Sequence, residues 1–172
     1  MKEILYYLTT TDDPDYLFCP YTEQELANIS GATSVSEVDE EEFMEYIRSF
    51  KHTYGVKPEF CTKENNYTEK ITVAMLNQTE IEKLSRNIMQ RIQQRVEKAR
   101  TSLKYLDLKD VRDISQTLCH ISYLIYPRYK TYFVISTDRY TIDGNEVELI
   151  EFLTREKPQV LFITQLFECN FS

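Results

Sequence analysis

Three aspartates are the residues whose type and spacing come nearest to a metal-binding site. Asp12 and Asp13 follow the first apolar run of the chain, and Asp138 follows a later one, Tyr132–Ser136. If a sheet places these two strand ends side by side, the carboxylates could converge on a divalent cation, which prefers oxygen ligands. The EF-hand pattern is absent, and aspartate is also a common turn residue. A metal-dependent enzyme using these aspartates is therefore the third and least favoured hypothesis.

Nucleophilic and nucleotide-driven chemistry find no support in the sequence. The three glycines, Gly31, Gly55 and Gly144, match neither the phosphate-loop pattern GxxxxGK[ST] nor GxGxxG. The chain has only two histidines, His52 and His120, to act as general bases near neutral pH. Neither has a nucleophile at a diagnostic spacing. We therefore expect no catalytic residue, no cofactor and no enzymatic activity.

An acidic block begins one of the predicted helices. Residues 1–69 contain 5 Lys/Arg and 15 Asp/Glu, a net charge of −10 within a chain whose total is −8. Acidic side chains at a helix start complement the helix dipole, but a block of this size can also bind a basic surface. The candidate partner-binding residues are Asp39, Glu40, Glu41, Glu42 and Glu45. We predict a non-enzymatic protein-binding function in which this acidic face mimics nucleic acid and inhibits a basic, nucleic-acid-binding partner.

The central part of the chain has the opposite charge. Residues 70–128 contain 11 Lys/Arg and 6 Asp/Glu, a net charge of +5, and residues 129–172 contain 4 and 7, a net charge of −3. Basic residues on one long helix could follow a phosphate backbone. The candidate residues for this role are Arg86, Arg91, Arg95 and Lys98. Because the sequence pI is near 4.9, DNA binding is the alternative, and pairing of this helix with the acidic residues 1–69, within one chain or in a homo-oligomer, is favoured.

The apolar pattern predicts an α/β fold with a mixed sheet and two long central helices. Lys2–Thr9 and Ile71–Leu76 are short apolar runs typical of strands. Apolar residues recur every three or four positions from Ile81 to Leu103, and again across residues 108–126, which predicts two amphipathic helices. Pro127 should end the second of them.

A right-handed βαβ unit is predicted at the C-terminal end. The apolar runs Tyr132–Ser136 and Val160–Ile163 flank an amphipathic segment, and a strand–helix–strand unit of this length normally joins parallel strands. Asp143 precedes Glu146 by three positions and is the predicted N-cap of the helix. Gly144 then lies in the turn between strand and helix, where we expect it to supply backbone freedom.

Length and composition predict one domain, residues 1–172, with an acidic part (1–69) and a helical and βαβ part (70–172). The chain begins without an apolar leader and contains no apolar run of roughly 18 residues, so we expect a cytoplasmic protein without membrane contact. Its four scattered cysteines should be free thiols. The 13 tyrosines and 3 glycines are typical of an AT-rich genome, such as that of a low-GC bacterium or a virus, and a phage or mobile element is the source that we expect.

The C-terminal part resembles a known family. The segment from LKDVRDISQTLCHISYLIY to KPQVLFITQLFE, about 60 of the 172 residues, is similar to the end of the accessory spacer-acquisition protein of type II-A CRISPR systems. The features that match are a helix leading into YFVIS, the capped helix near Ile142–Leu149, and the final strand Val160–Ile163. The resemblance implies an oligomeric ring that holds DNA ends, with bound calcium and without enzymatic turnover.

Overall fold

The computed structural model describes residues 2–125 and 131–172. The strands are β1 (Lys2–Thr9), β2 (Ser34–Glu37), β3 (Glu59–Glu64), β4 (Lys70–Asn77), β5 (Tyr132–Ser136), β6 (Thr141–Gly144) and β7 (Val160–Asn170). The helices are α1 (Glu23–Ser30), α2 (Glu40–Tyr54), α3 (Gln78–Lys104), α4 (Val111–Ile125) and α5 (Glu146–Glu156), with a 3-10 turn at Pro14–Tyr16. The predicted end of α4 at Pro127 lies outside the described residues.

All seven strands belong to one mixed sheet. Its order is β3-β4-β7-β1-β5-β6. On the side of β7 that faces away from β1, the first half of β7 pairs with β4 and the second half pairs with β2. The β1–β5 pair is parallel, and every other pair is antiparallel. The predicted α/β class with a mixed sheet and two long central helices is confirmed.

The predicted βαβ unit is wrong. Strands β5 and β7 are not neighbours, because β1 lies between them. Since β1 is parallel to β5 and antiparallel to β7, the two predicted partners run in opposite directions. The physical reason is β6, which turns back on β5 as an antiparallel hairpin. A direct crossover needs a helix that starts where β5 ends. Because β6 returns along β5, helix α5 starts at the other end of these strands, where β5 begins.

The start of α5 also differs from the prediction. Its N-cap is Asn145, whose side chain accepts from the Val147 N–H at 2.8 Å, while Glu148 accepts from the Asn145 N–H at 2.8 Å. Asp143 instead lies in β6, paired with β5. Gly144 does not have a positive φ. It is required for space, because a Cβ there would lie 2.4 Å from Cγ of the capping Glu148.

The start of α2 differs from the sequence pattern, in which Ser36 precedes Asp39 by three positions and would be the cap. Asp39 itself is the N-cap, in a capping box with Glu42, while Gly55 ends the helix in a left-handed conformation, as its position before Pro58 predicts. Asn77 caps α3. Strands β2 and β3 are exposed on most of their residues and are held by pairing with β7 and β4.

The core has two parts, one on each face of the sheet. Alternating residues of β1 point to opposite faces, so Tyr6 and Leu8 join the larger cluster while Leu5 and Tyr7 join the smaller one. Helices α2, α3 and α5 cover the larger cluster, and α1 covers the smaller one. None of the helices within residues 2–125 and 131–172 combines the length and apolarity needed to cross a bilayer.

Candidate functional site

A cleft opens on β7 where its outer edge passes from β4 to β2. Pairing with β4 ends at Ile163 and pairing with β2 begins at Phe167, so residues 164–166 lie between the two strands. The register against β1 also shifts here, because Tyr7 pairs with Gln165 and Leu8 pairs with Ile163. Thr164 is therefore the extra residue of a β-bulge. Bulges re-aim a side chain, and they occur often beside functional sites.

The β7 cleft, as we name this feature, has a volume of about 190 Å³. Its polar lining comes from three segments that are distant in sequence. The polar residues are Glu37, Asp39, Glu40, Lys70, Thr72, Thr164 and Gln165. Phe18, which is 40% exposed, adds an aromatic ring to the lining. A shallower depression shares Asp39 and Glu40 with the cleft and extends it towards Glu41.

Thr164 is the buried polar group of the cleft. Its side chain is only 6% exposed, and its hydroxyl oxygen has no hydrogen-bond partner among the described residues. A buried hydroxyl left without a partner costs roughly 1–3 kcal/mol. The next residue, Gln165, is bonded at both ends of its amide, because its oxygen accepts from the Cys19 N–H at 2.6 Å and its nitrogen donates to Glu37 at 2.8 Å. Thr164 is thus the buried polar group of this strand whose side chain lacks a described partner.

The three carboxylates of the cleft are held in place by bonds within the protein. Glu37 accepts from Gln165 at 2.8 Å, Glu40 accepts from the Thr72 hydroxyl at 2.6 Å, and Asp39 accepts from the Glu42 N–H at 2.9 Å. Each bond uses one oxygen and leaves the other to accept from a ligand. Lys70 is the one cation of the lining, so the cleft has an excess of two negative charges.

The predicted acidic block is divided by this geometry. Asp39, Glu40 and Glu41 line the β7 cleft or its shallow extension. Glu42 closes the capping box of α2, and Glu45 is exposed outside the cleft. The side chains of all five residues of the block are exposed to solvent. The sequence did not single out Glu37, Thr164 or Gln165, although the polar pair Thr-Gln inside the apolar run VLFITQLF was a signal that could have found two of them.

The basic residues of α3 are divided as well. Arg95 donates to Glu146 of α5 at 2.8 Å, and Arg91 lies 3.8 Å from the same carboxylate. Glu146 is 8% exposed and also accepts from the Tyr54 hydroxyl at 2.7 Å. Burial, and then the Glu146 charge, raise the pKa of Tyr54, so this phenol stays protonated and donates. Two of the four proposed phosphate ligands therefore neutralise a buried carboxylate.

The described ion pairs do not connect α3 with the acidic block, although we expected this pairing. Apart from Glu146, the acidic partners of α3 are Glu80 and Glu97, which lie on α3 itself and pair with Lys83 and Arg100. Arg86 and Lys98 are exposed. Within one chain, α3 packs mainly against α4 and α5 and has few contacts with residues 1–69. Pairing of α3 with the acidic residues of a second copy stays a prediction.

The three aspartates of the metal hypothesis lie in adjacent loops without converging. Strands β1 and β5 are parallel neighbours, and the Tyr16 hydroxyl donates to the Asp138 carbonyl oxygen at 3.3 Å. However, Asp12 pairs with Lys63 at 2.9 Å, and Asp13 caps the 3-10 turn. Within residues 2–125 and 131–172, no group of three His, Cys, Asp or Glu side chains is placed to hold a metal ion.

A thiol lies close to the β7 cleft. Burial raises the pKa of Cys19 to about 11, and the nearby Glu37 acts in the same direction. The thiolate is the nucleophilic form of cysteine. Cys19 is therefore protonated at neutral pH and is poorly suited to nucleophilic catalysis.

Comparison with models of protein families, with curated proteins and with solved structures found no match to this chain. The resemblance to the type II-A spacer-acquisition protein therefore stays a hypothesis. The function proposed below depends on the geometry of the chain itself.

Proposed function

We propose that this protein is a non-enzymatic protein-binding module whose β7 cleft accepts an arginine side chain from a basic partner. The observation that supports it is the lining of the cleft. Fixed carboxylates of Glu37, Asp39 and Glu40 surround the cleft, and the buried hydroxyl of Thr164 lacks a partner among the described residues.

The size of the cleft favours a single side chain over a free ligand. Sites for cofactors and drug-sized molecules enclose roughly 300–1,000 Å³, whereas this cleft has about 190 Å³. Protein interfaces concentrate binding energy in a few anchors that fill pockets of this kind, and arginine is among the most frequent. The cleft is therefore sized for one anchor residue.

The chemistry favours arginine over lysine as that anchor. A guanidinium has five donors in a planar fork, it binds carboxylates in pairs, and it stacks on aromatic rings. The cleft offers several carboxylates together with the exposed ring of Phe18. An aromatic ring within about 6 Å adds roughly 0.5–2 kcal/mol of cation–π attraction. Lysine has a more strongly hydrated, point-like charge and cannot use this arrangement as fully.

The acidic surroundings favour a nucleic-acid-binding protein as the partner class. Such proteins present clustered Arg and Lys to phosphates. The shallow extension with Glu41 and Met44 would contact residues beside the anchor. A protein bound in this way would occupy the partner's nucleic-acid surface, which is the inhibitory role expected from the acidic block.

The test is a titration of isotope-labelled protein with a nine-residue oligo-arginine peptide, followed by amide NMR shifts. We expect the largest shifts at residues 70–72 and 164–166, and weaker binding of an oligo-lysine peptide. Glu37→Gln combined with Glu40→Gln should weaken arginine binding about 10- to 100-fold, because hydrogen bonds to charged groups are worth about 1.5–3 kcal/mol.

The matched control is Glu45→Gln combined with Glu59→Gln, which removes the same two negative charges at exposed positions outside the cleft. It should weaken binding less than threefold. Shifts spread evenly over the acidic surface, or equal losses for the cleft variant and the control, would show that the peptide senses only net charge and would refute the proposal.

DNA binding by α3 has less support. Glu146 is bonded to Arg95 and lies 3.8 Å from the exposed Arg91, which leaves Arg86 and Lys98 as the members of the predicted set without a described ion pair. Two phosphate contacts give weak binding with a shallow salt dependence. An oligomeric DNA-binding assembly protein therefore stays the second hypothesis.

A further inference from the structure

The hairpin formed by α3 and α4 exposes an unusual amount of apolar surface. Helix α3 packs against α4, and six residues connect them. Ala99 and Ile121 are buried although they belong to neither core cluster, so they mark the contact between the two helices. The apolar side chains that remain exposed along the hairpin include Met89, Val96, Leu103, Val111 and Leu118.

These exposed side chains form two rows with a seven-residue spacing. Met89, Val96 and Leu103 make the row on α3, with exposed fractions of 40%, 46% and 51%. Val111 and Leu118 make the row on α4, with exposed fractions of 79% and 55%. Apolar residues repeated every seven positions are the signature of a helix that packs along another helix.

Both rows lie on the same face of the hairpin. Val96 precedes the buried Ala99 by three residues, and Leu118 precedes the buried Ile121 by three residues. Three residues correspond to a rotation of about 300° on an α-helix, so each row is displaced by the same angle from the α3–α4 contact. Because the two helices of a hairpin are antiparallel, rows that are rotated by the same angle from the contact between the helices project from the same side of the pair. We call this surface the hairpin face.

The composition of α4 indicates that this face is covered. Nine side chains among residues 111–124 are exposed, yet among the fifteen residues of α4 only Arg112 and Asp113 are charged. Surface helices normally expose a charged or polar face and bury their apolar stripe. The described residues instead leave much of the apolar stripe of α4 uncovered.

We infer that the hairpin face binds a second copy of this chain, so that two hairpins form an antiparallel four-helix bundle. A standard interface buries about 800 Å² per partner, of which about 65% is apolar in homodimers, or roughly 500 Å². The five side chains of the two rows expose on the order of 500 Å², judged from ordinary side-chain areas. One hairpin thus supplies the apolar area that a stable dimer needs.

The shape of the face fits an identical partner. Two antiparallel helices with apolar rows on one side are half of a four-helix bundle. A two-fold axis through the face would place the same surface opposite itself, which is the commonest arrangement of soluble homodimers. The β7 cleft contains no residue of α3 or α4, so this inference is independent of the function proposed above.

The experiment measures the mass of the full-length chain by sedimentation equilibrium over a range of concentrations. Wild type should behave as a dimer of about 41 kDa, twice the 20.5 kDa of one chain. Val96→Glu and Leu118→Glu should each weaken association about 1,000-fold. A charge at a central interface position costs about 30-fold, and two-fold symmetry makes it act twice.

The control is Val147→Glu on α5, a valine with 48% exposure compared with 46% for Val96. It should stay dimeric, and circular dichroism should show all variants folded. A monomeric wild type at about 100 µM would overturn the inference, because the face would then serve another partner. A dimer that survives both hairpin variants, or that Val147→Glu disrupts equally, would also overturn it.

Discussion

Replacing Arg95 with leucine should destabilise the protein far more than its partly exposed position suggests. Glu146 is 8% exposed and is bonded to Arg95 at 2.8 Å and to the Tyr54 hydroxyl at 2.7 Å. Without Arg95, the buried carboxylate keeps one neutral donor and the more distant Arg91, at 3.8 Å. The variant therefore leaves a charge that is poorly compensated in a water-poor site.

The magnitude follows from the geometry of the pair. Removing one partner of a fully buried ion pair costs about 3–5 kcal/mol. Arg95 has a 27% exposed side chain, and Arg91 stays nearby, so solvent and the second cation reduce that cost. We expect Arg95→Leu to lower the free energy of unfolding by about 2–3 kcal/mol, measured by urea denaturation.

Two further variants make the reasoning refutable. Glu146→Gln should cost only about 1 kcal/mol, because the amide still accepts from Tyr54 and the arginines can turn towards water. Arg100→Leu is the matched control, since Arg100 pairs with Glu97 at 2.8 Å while their side chains are 73% and 62% exposed. It should change stability by less than about 0.5 kcal/mol. If Arg95→Leu and Arg100→Leu lowered the free energy of unfolding by the same small amount, the Glu146 carboxylate would have to be solvated in the variant, and the argument from burial would fail.

Two further predictions concern Gly144 and Glu80. Gly144→Ala should cost about 1–3 kcal/mol in urea denaturation, because its Cβ would lie 2.4 Å from Cγ of Glu148 and would disrupt the cap. Gly31→Ala, with no atom within 4 Å but a φ of +75°, should cost only the backbone strain of about 1 kcal/mol. A smaller cost for Gly144→Ala than for Gly31→Ala would contradict this account. The hydrogen bond from the Lys83 ammonium holds the pKa of Glu80 below its usual range. Ionised Glu80 therefore stabilises the fold at any pH above the ordinary glutamate pKa of about 4.3. This stabilisation is lost as the pH falls through the lower pKa of the folded state. The stability difference between wild type and Glu80→Gln should therefore shrink between pH 7 and pH 3, and a constant difference would rule out this linkage.

The sequence alone predicted those features that neighbouring residues determine. Helix periodicity gave α3 and α4, because side chains three and four positions apart share a face whatever lies opposite. The end of α2 at Gly55 and the start of α3 near Asn77 depend on hydrogen bonds and backbone angles within one turn. The apolar runs of β1, β5 and β7 indicated buried strands and thus the α/β class.

Strand order and direction could not be predicted in the same way. The apolar run of β5 is equally compatible with β7 or β1 as its neighbour, since backbone pairing is not specific to sequence. The short strand Thr141–Gly144 reversed the chain and changed the direction in which α5 leaves the sheet. A four-residue strand with one glycine gives too weak a pattern to be recognised locally.

The candidate site was predicted only in part, for the same reason. Asp39, Glu40 and Glu41 were identified by charge, which is a property of the sequence. Their position beside Thr164 depends on the bulge in β7 and on the gap between β4 and β2, which are set by pairing across more than 80 residues of chain. Charge and periodicity are local, whereas the depth of a cleft and the partner of a buried Glu146 are decided by long-range packing.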